Sequence, residues 1–220
     1  MRRNNPNPKI AARYQGLTNA AGAFNGVVRC NGDQLDKPLR TRKAQVYAVW
    51  TDLFHEDVPF DFIDEAFATM TVTERSCGAH HWYVILTKRP QRVIQWLRQT
   101  SCHHVRTKGL RQVVIGTTVE DQARADERMP HLMELAGMGW RTMVSAEPLL
   151  SSLDLRPWLG GLSWCACGAE TGPRKRSAEL AWFRDLRDQC RDTRTPFFLK
   201  KLSDGTRELD GRKHEEFPNG

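Results

Sequence analysis

The first 36 residues show no hydrophobic period. They are rich in Asn, Gly and Ala and predict a loosely structured arm, with a short strand at Val27-Val28-Arg29. A basic connector follows, Lys37-Pro-Leu-Arg40-Thr-Arg42-Lys43. From Gln45 the pattern changes. Short apolar, β-branched or aromatic runs recur at 46–50, 82–86, 113–115, 141–144, 162–167 and 196–199. Apart from the mixed runs at 141 and 162, they are apolar on both faces, as suits strands covered by helices on both sides or lining a barrel.

Helical periods lie between them. Val58, Phe62, Ile63, Ala66, Phe67 and Met70 share one face, with Asp57 as N-cap and Pro59 in the first turn. Pro90 opens a second helix carrying Val93, Ile94 and Leu97. A third runs from about Asp121 to Ala136 and ends at Gly137, and Pro130 predicts a kink or split within it. Ser177 caps a fourth, with Leu180, Phe183, Leu186 and Cys190 turned inward, and a single helical turn falls within 150–159. Strand starts lie roughly 22 to 36 residues apart, the spacing of βαβ units, so the sheet is expected to be parallel with right-handed crossovers. The fold class is α/β, a partial (β/α) barrel of about six parallel strands, with a doubly wound sheet as the open alternative. The chain divides into an arm and connector (1–44), a barrel domain (45–204) and a tail (205–220).

Composition changes this picture little. The 220 residues are 40% hydrophobic and 27% charged, which argues against wholesale disorder. No run approaches the ~20 apolar residues of a membrane span, and the N-terminus lacks an apolar signal core, so a cytoplasmic protein is expected. Its six cysteines then read as free thiols. The net charge of +7 favours an anionic partner or simply a solvated basic surface.

Chemistry concentrates at the strand ends, where parallel α/β proteins place their binding and catalytic groups. The first strand runs into Asp52, His55 and Glu56, and the second ends at Lys88 and Arg89. The third ends at Thr118 and Glu120, the fourth at Ser145 and Glu147, the fifth at Glu170 and the last at Lys200. Acids alternate with bases, as a ligand with both amine and carboxylate or phosphate groups requires. Each residue alone is equally a helix cap or a loop anchor. Cys165 and Cys167 share a strand face where a soft metal would find two thiolates, although core packing explains them better. The histidine pairs 80–81 and 103–104 read as surface residues, and no metal site is expected. A second class of partner, nucleic acid, would use Lys37, Arg40, Arg42 and Lys43, the segment 106–111, and Arg174-Lys175-Arg176 as a phosphate-contacting surface.

Several blocks occur in order: Thr51-Asp-Leu-Phe-His-Glu-Asp-Val58, Leu86-Thr-Lys-Arg-Pro90, Gly116-Thr-Thr-Val-Glu120, Ser145-Ala-Glu-Pro-Leu-Leu150, Gly168-Ala-Glu-Thr-Gly172 and Pro196-Phe-Phe-Leu-Lys200. Together they resemble the phage-associated three-cysteine-motif family of unknown function, over roughly residues 13–204. The resemblance implies a radical-SAM-like, TIM-barrel-like partial barrel that binds S-adenosylmethionine. It also implies an N-terminal cysteine trio holding an iron–sulfur cluster. Here Cys30 stands alone, so no cluster is expected on this chain. The redox chemistry would be lost, or supplied by a partner protein. The fifth strand departs too, with Cys165-Ala-Cys167 where aliphatic residues are expected.

Overall fold

The structure, a computed structural model, describes residues 12, 15–20, 23–49, 51–76, 81–102, 105 and 109–218, with only the backbone of 74–76. Trp50, Cys77, His80, the pair at 103–104 and residues 106–108 lie outside the described residues.

Six strands form one parallel sheet: β1 Val46–Val49, β2 Trp82–Thr87, β3 Val113–Thr118, β4 Arg141–Ala146, β5 Trp164–Gly168 and β6 Phe197–Lys201. They pair in chain order, β1 to β6. A doubly wound sheet needs a point where strand order reverses, and this order has none. With every crossover stepping the same way and turning right-handed, the helices fall on one face and the sheet curls as a half-barrel.

The convex face is the core. Tyr83, Ile85, Val113, Ile115, Val144, Cys165 and Phe197 are buried there beneath α1 Lys37–Arg40, α2 Phe60–Ser76, α3 Pro90–Gln99, α4 Gln122–Gly137, α5 Arg156–Leu159 and α6 Leu180–Thr193. Trp96 is fully buried, 4.3 Å from Phe67 and 5.8 Å from Phe54 between ring centres. A side chain of this size contributes about 2–3 kcal/mol by leaving water. Its indole N–H donates to Asp64 at 2.8 Å, so no polar atom is stranded. The concave face is more open, with Trp82, Val84, Leu86, Trp164, Ala166 and Phe198 only half-buried. Gly116 lies between two of its side chains: an added Cβ would fall 2.6 Å from Leu86 Cδ2 and 2.6 Å from Met143 Cγ.

Local expectations are corrected at three places. Residues 27–29 form no strand. α4 runs unbroken through Pro130, capped by Asp121 Oδ1, which accepts the Arg124 N–H at 2.9 Å. α6 starts at Leu180 rather than at a Ser177 cap, and Leu180 is 40% exposed. Segment 205–220 also carries structure. A hairpin of β7 Glu208–Leu209 and β8 Arg212–Lys213 turns through Asp210 and Gly211, at φ 54° and 74°. Both turn residues are left-handed, the conformation that matches strand twist and that Asp-Gly favours. The chain then lies along β6, with the Leu199 N–H donating to His214 O at 2.8 Å and the Glu216 N–H to Phe197 O at 3.1 Å. That edge of the sheet is covered.

Candidate functional site

Because all six strands run the same way, their C-terminal ends share one side of the sheet. A cavity of about 680 Å³ opens there. Its walls include Asp52, Lys88, Arg89, Thr118, Ser145 and Glu147, together with Glu170, Thr171 and Lys200. Residues from the ends of all six strands therefore contribute. His55 and Glu56 do not line it. The His55 ring accepts the Asp57 N–H at 3.2 Å, and Glu56 meets Arg89 at 3.5 Å on the exposed side.

The first loop is fixed by Asp52. Its carboxylate accepts Thr87 Oγ1 at 2.6 Å, the Phe54 N–H at 3.1 Å and Arg89 Nη1 at 2.8 Å. Thr87 Oγ1 in turn accepts the Arg89 N–H at 3.0 Å, so β1 and β2 end in one closed network.

Glu120 sits one layer behind the cavity wall. It is buried and bridges two cations: Lys88 Nζ at 2.8 Å and Arg128 Nη1 at 3.0 Å. Burial pulls its carboxyl upward, but the Lys88 hydrogen bond and the charges of Lys88 and Arg128 outweigh it and hold the group below the usual carboxylate range. Arg128 also donates to Thr118 O at 2.7 Å, tying α4 to the end of β3.

Glu147 and Lys200 pair across the cavity at 2.7 Å. Gly168 lies beside them. A Cβ there would approach Lys200 Cβ to 3.3 Å and Glu147 Cδ to 3.5 Å, so the bare backbone leaves room for this pair. The Glu147–Pro148 peptide bond is cis. Glu170 accepts a two-pronged bond from Arg176 at 2.9 and 2.7 Å and the Arg176 N–H at 2.7 Å. Together these donors bring its carboxyl down to about 2.

The basic segments do not form one surface. Lys37, Arg40, Arg42 and Lys43 precede β1 and Arg111 precedes β3, so these lie at the N-terminal end of the sheet. Arg174, Lys175 and Arg176 lie at the opposite, strand-end rim. There Arg176 is bound to Glu170 and Lys175 donates to Ser203 O. Arg40 is paired with Asp36 at 2.8 Å.

Cys165 and Cys167 face the core and are fully buried. Burial pushes the Cys167 thiol up, and the adjacent Cys165 together with burial does the same to Cys190. These are packing thiols rather than nucleophiles. Among the described residues, no three His, Cys, Asp or Glu side chains are grouped as a metal would require. His81 is buried rather than at the surface, and its Nε2 lies 3.1 Å from both Pro38 O and Thr41 O.

Two contributors escape sequence reasoning. Thr87 sits in the second block but looks like ordinary strand sequence. Arg128 lies in a helix whose other charges are solvated, and only its position two turns past the cap, on the face of Ala125 and Leu132, marks it as inward.

No helix among the described residues is long and apolar enough to cross a membrane. No curated protein and no solved structure matches the chain. One family model matches residues 7–218, and its description is "Protein of unknown function (DUF5131)". With nearly its whole length matched, the chain belongs to the DUF5131 family.

Proposed function

We propose that the strand-end cavity binds a polar small molecule or nucleotide carrying both cationic and anionic groups, with S-adenosylmethionine as the first ligand to test. The observation that carries this reading is that acids (Asp52, Glu147, Glu170) and bases (Lys88, Arg89, Lys200) together line one cavity of about 680 Å³, a size that suits such a ligand. Glu147 is the leading contact. A ligand amine or ribose hydroxyl can take the place of Lys200 at its carboxylate, and the freed ammonium can then meet the ligand's acid group.

The resemblance to the radical-SAM-like phage family supports the ligand class, but the residues present do not fit an iron–sulfur cluster. Among the described residues no close cysteine trio exists. The redox chemistry that the resemblance implies is therefore lost in this chain or supplied by a partner protein. A nucleic-acid-binding role ranks second. It rests on the net charge of +7, and the division of the basic segments between opposite ends of the sheet weakens it.

The test is titration calorimetry with S-adenosylmethionine and a nucleotide panel, on the wild-type protein and Glu147→Gln. Affinity is expected to fall about tenfold, or ~1.4 kcal/mol, with little change in melting temperature. Lost stability with binding intact would show that Glu147 only ties the sheet ends together. A steep fall in oligonucleotide affinity with salt, in the absence of small-molecule binding, would favour the second reading.

A further inference from the structure

A second cavity lies away from the rim, between α6 and the C-terminal segment that pairs with β6. It has a volume of about 740 Å³, and its walls carry Arg187, Arg191, Arg194, Arg212 and His214. Two carboxylates also line it, Asp210 and Glu216. Both are engaged. Asp210 is held by Arg184 at 2.7 Å and Arg187 at 2.7 Å, and Glu216 Oε2 accepts the Phe197 N–H at 3.0 Å. Arg191 is divided between Asp188 and Asp192, at 2.8 and 2.9 Å.

Arg194 and Arg212 are different. Neither makes an ion pair among the described residues, although acids stand nearby on the same helix and hairpin. His214 packs its ring edge-on to Phe197 at 5.7 Å, and its Nε2 is enclosed with no hydrogen-bond partner among the described residues. Arg194 is also the C-cap of α6, at φ 58° and ψ 30°. Glycine enters this left-handed conformation without strain and a long side chain does not. The helix-end carbonyls beside it are capped, since Arg194 and Thr195 donate to Arg191 O and Cys190 O at 3.1 and 2.9 Å. The guanidinium of Arg194 is therefore not needed to cap them.

We propose that this cavity is an anion site for a phosphate group, held by the guanidinium forks of Arg194 and Arg212. One guanidinium saturates a carboxylate's two oxygens, whereas two forks match the several oxygens of a phosphate. The volume far exceeds that of the phosphate itself, so the group is carried on a larger body. Phe217, 62% exposed at the cavity wall, offers that body an apolar surface. A phosphorylated small molecule and the phosphate of a nucleic acid share this chemistry.

The experiment is calorimetry with inorganic pyrophosphate, AMP and a short 5′-phosphorylated single strand at about 0.15 M salt. It compares the wild-type chain, Arg194→Ala/Arg212→Ala and Arg194→Gly/Arg212→Gln. Saturable binding of at least one probe, weakened tenfold or more in both double variants at a melting temperature no lower than that of the wild type, is the expected result. AMP binding identifies a small phosphorylated ligand, and binding of the strand alone identifies a nucleic acid. Binding equal in wild type and variants, or no saturable binding to any probe, overturns the proposal. Glu147→Gln is expected to leave this binding untouched, which separates it from the rim.

Discussion

Glu120→Ala probes the most deeply placed ion pair of the rim. Its side chain is 12% exposed and that of Arg128 is 10%, so removing the carboxylate leaves Arg128 charged, buried and bonded only to Thr118. Breaking a buried pair from one side costs about 3–5 kcal/mol, and the remaining Thr118 bonds argue for the lower end, about 3 kcal/mol. Lys88, the other partner, is 58% exposed, so Lys88→Ala should cost under about 1 kcal/mol. In a domain of this size each kcal/mol moves the melting temperature by about 2–4 °C, which predicts a fall of about 6–12 °C for Glu120→Ala. Differential scanning calorimetry and urea unfolding would measure both variants. The further variant Glu120→Leu/Arg128→Met, which replaces the pair by apolar groups, should recover most of the loss. If Glu120→Ala and Lys88→Ala cost the same small amount, the buried pair does not anchor β3 to α4.

Gly116→Ala should destabilise by about 2 kcal/mol in denaturant unfolding, because the new methyl meets Leu86 Cδ2 and Met143 Cγ at 2.6 Å and must push one aside. A neutral result would mean that the concave face repacks freely. Acid unfolding provides another check. Glu170 and Asp210 have carboxyls lowered to about 2, and Glu120 is lowered as well. A depressed folded-state pKa gives stability that is complete above the unfolded value near 4 and is lost as pH falls toward 2. Glu170→Gln should flatten that loss, and an unchanged acid limb would show that the Arg176 pair contributes nothing to folding.

The fold was readable because apolar runs and 3.6-residue periods are local properties. Strands 46–49, 82–87 and 113–118 follow directly from their β-branched and aromatic runs, and Pro90 and Gly137 punctuate their helices as expected. Chain-order pairing was not local. Nothing in any single strand distinguishes a singly wound half-barrel from a doubly wound sheet, since both repeat βαβ units. Pro130 misleads because a helix buried on one side can lose one backbone bond when packing of Met129 and Leu132 holds it. The Asp210-Gly211 hairpin was legible in principle, as Asp-Gly is a strong turn signal, but its flanking strands are two residues each and show no alternation. Among the rim residues, topology alone brings Asp52, Lys88, Glu147, Glu170 and Lys200 to one cavity. The depth of Glu120 and the arrival of Arg128 from α4 depend on three-dimensional packing that strand-end reasoning does not see.

Burial sorts the rim's charges into two tiers with different physical consequences. In the inner tier, Glu120 and Arg128 are both about nine-tenths covered and join β3 to α4. Exchange of that pair for a ligand would strand a charge in the interior, so it acts as scaffold. In the outer tier, Glu147 is 22% exposed and Lys200 41%, and the Arg89 and Asp52 pair is 29% and 22% exposed. Water reaches these pairs, and exposed or half-exposed pairs are worth little to stability. Asp52 is further fastened by Thr87 and the Phe54 N–H, which leaves the Glu147 and Lys200 pair as the more exchangeable of the two. A ligand that inserts there replaces one ion pair with two, separating the charges without leaving either unpaired. Weakly stabilising charges held in register above a rigid buried pair are what the proposed rim binding requires. Loss of Glu147 should therefore be felt in affinity, and loss of Glu120 in stability.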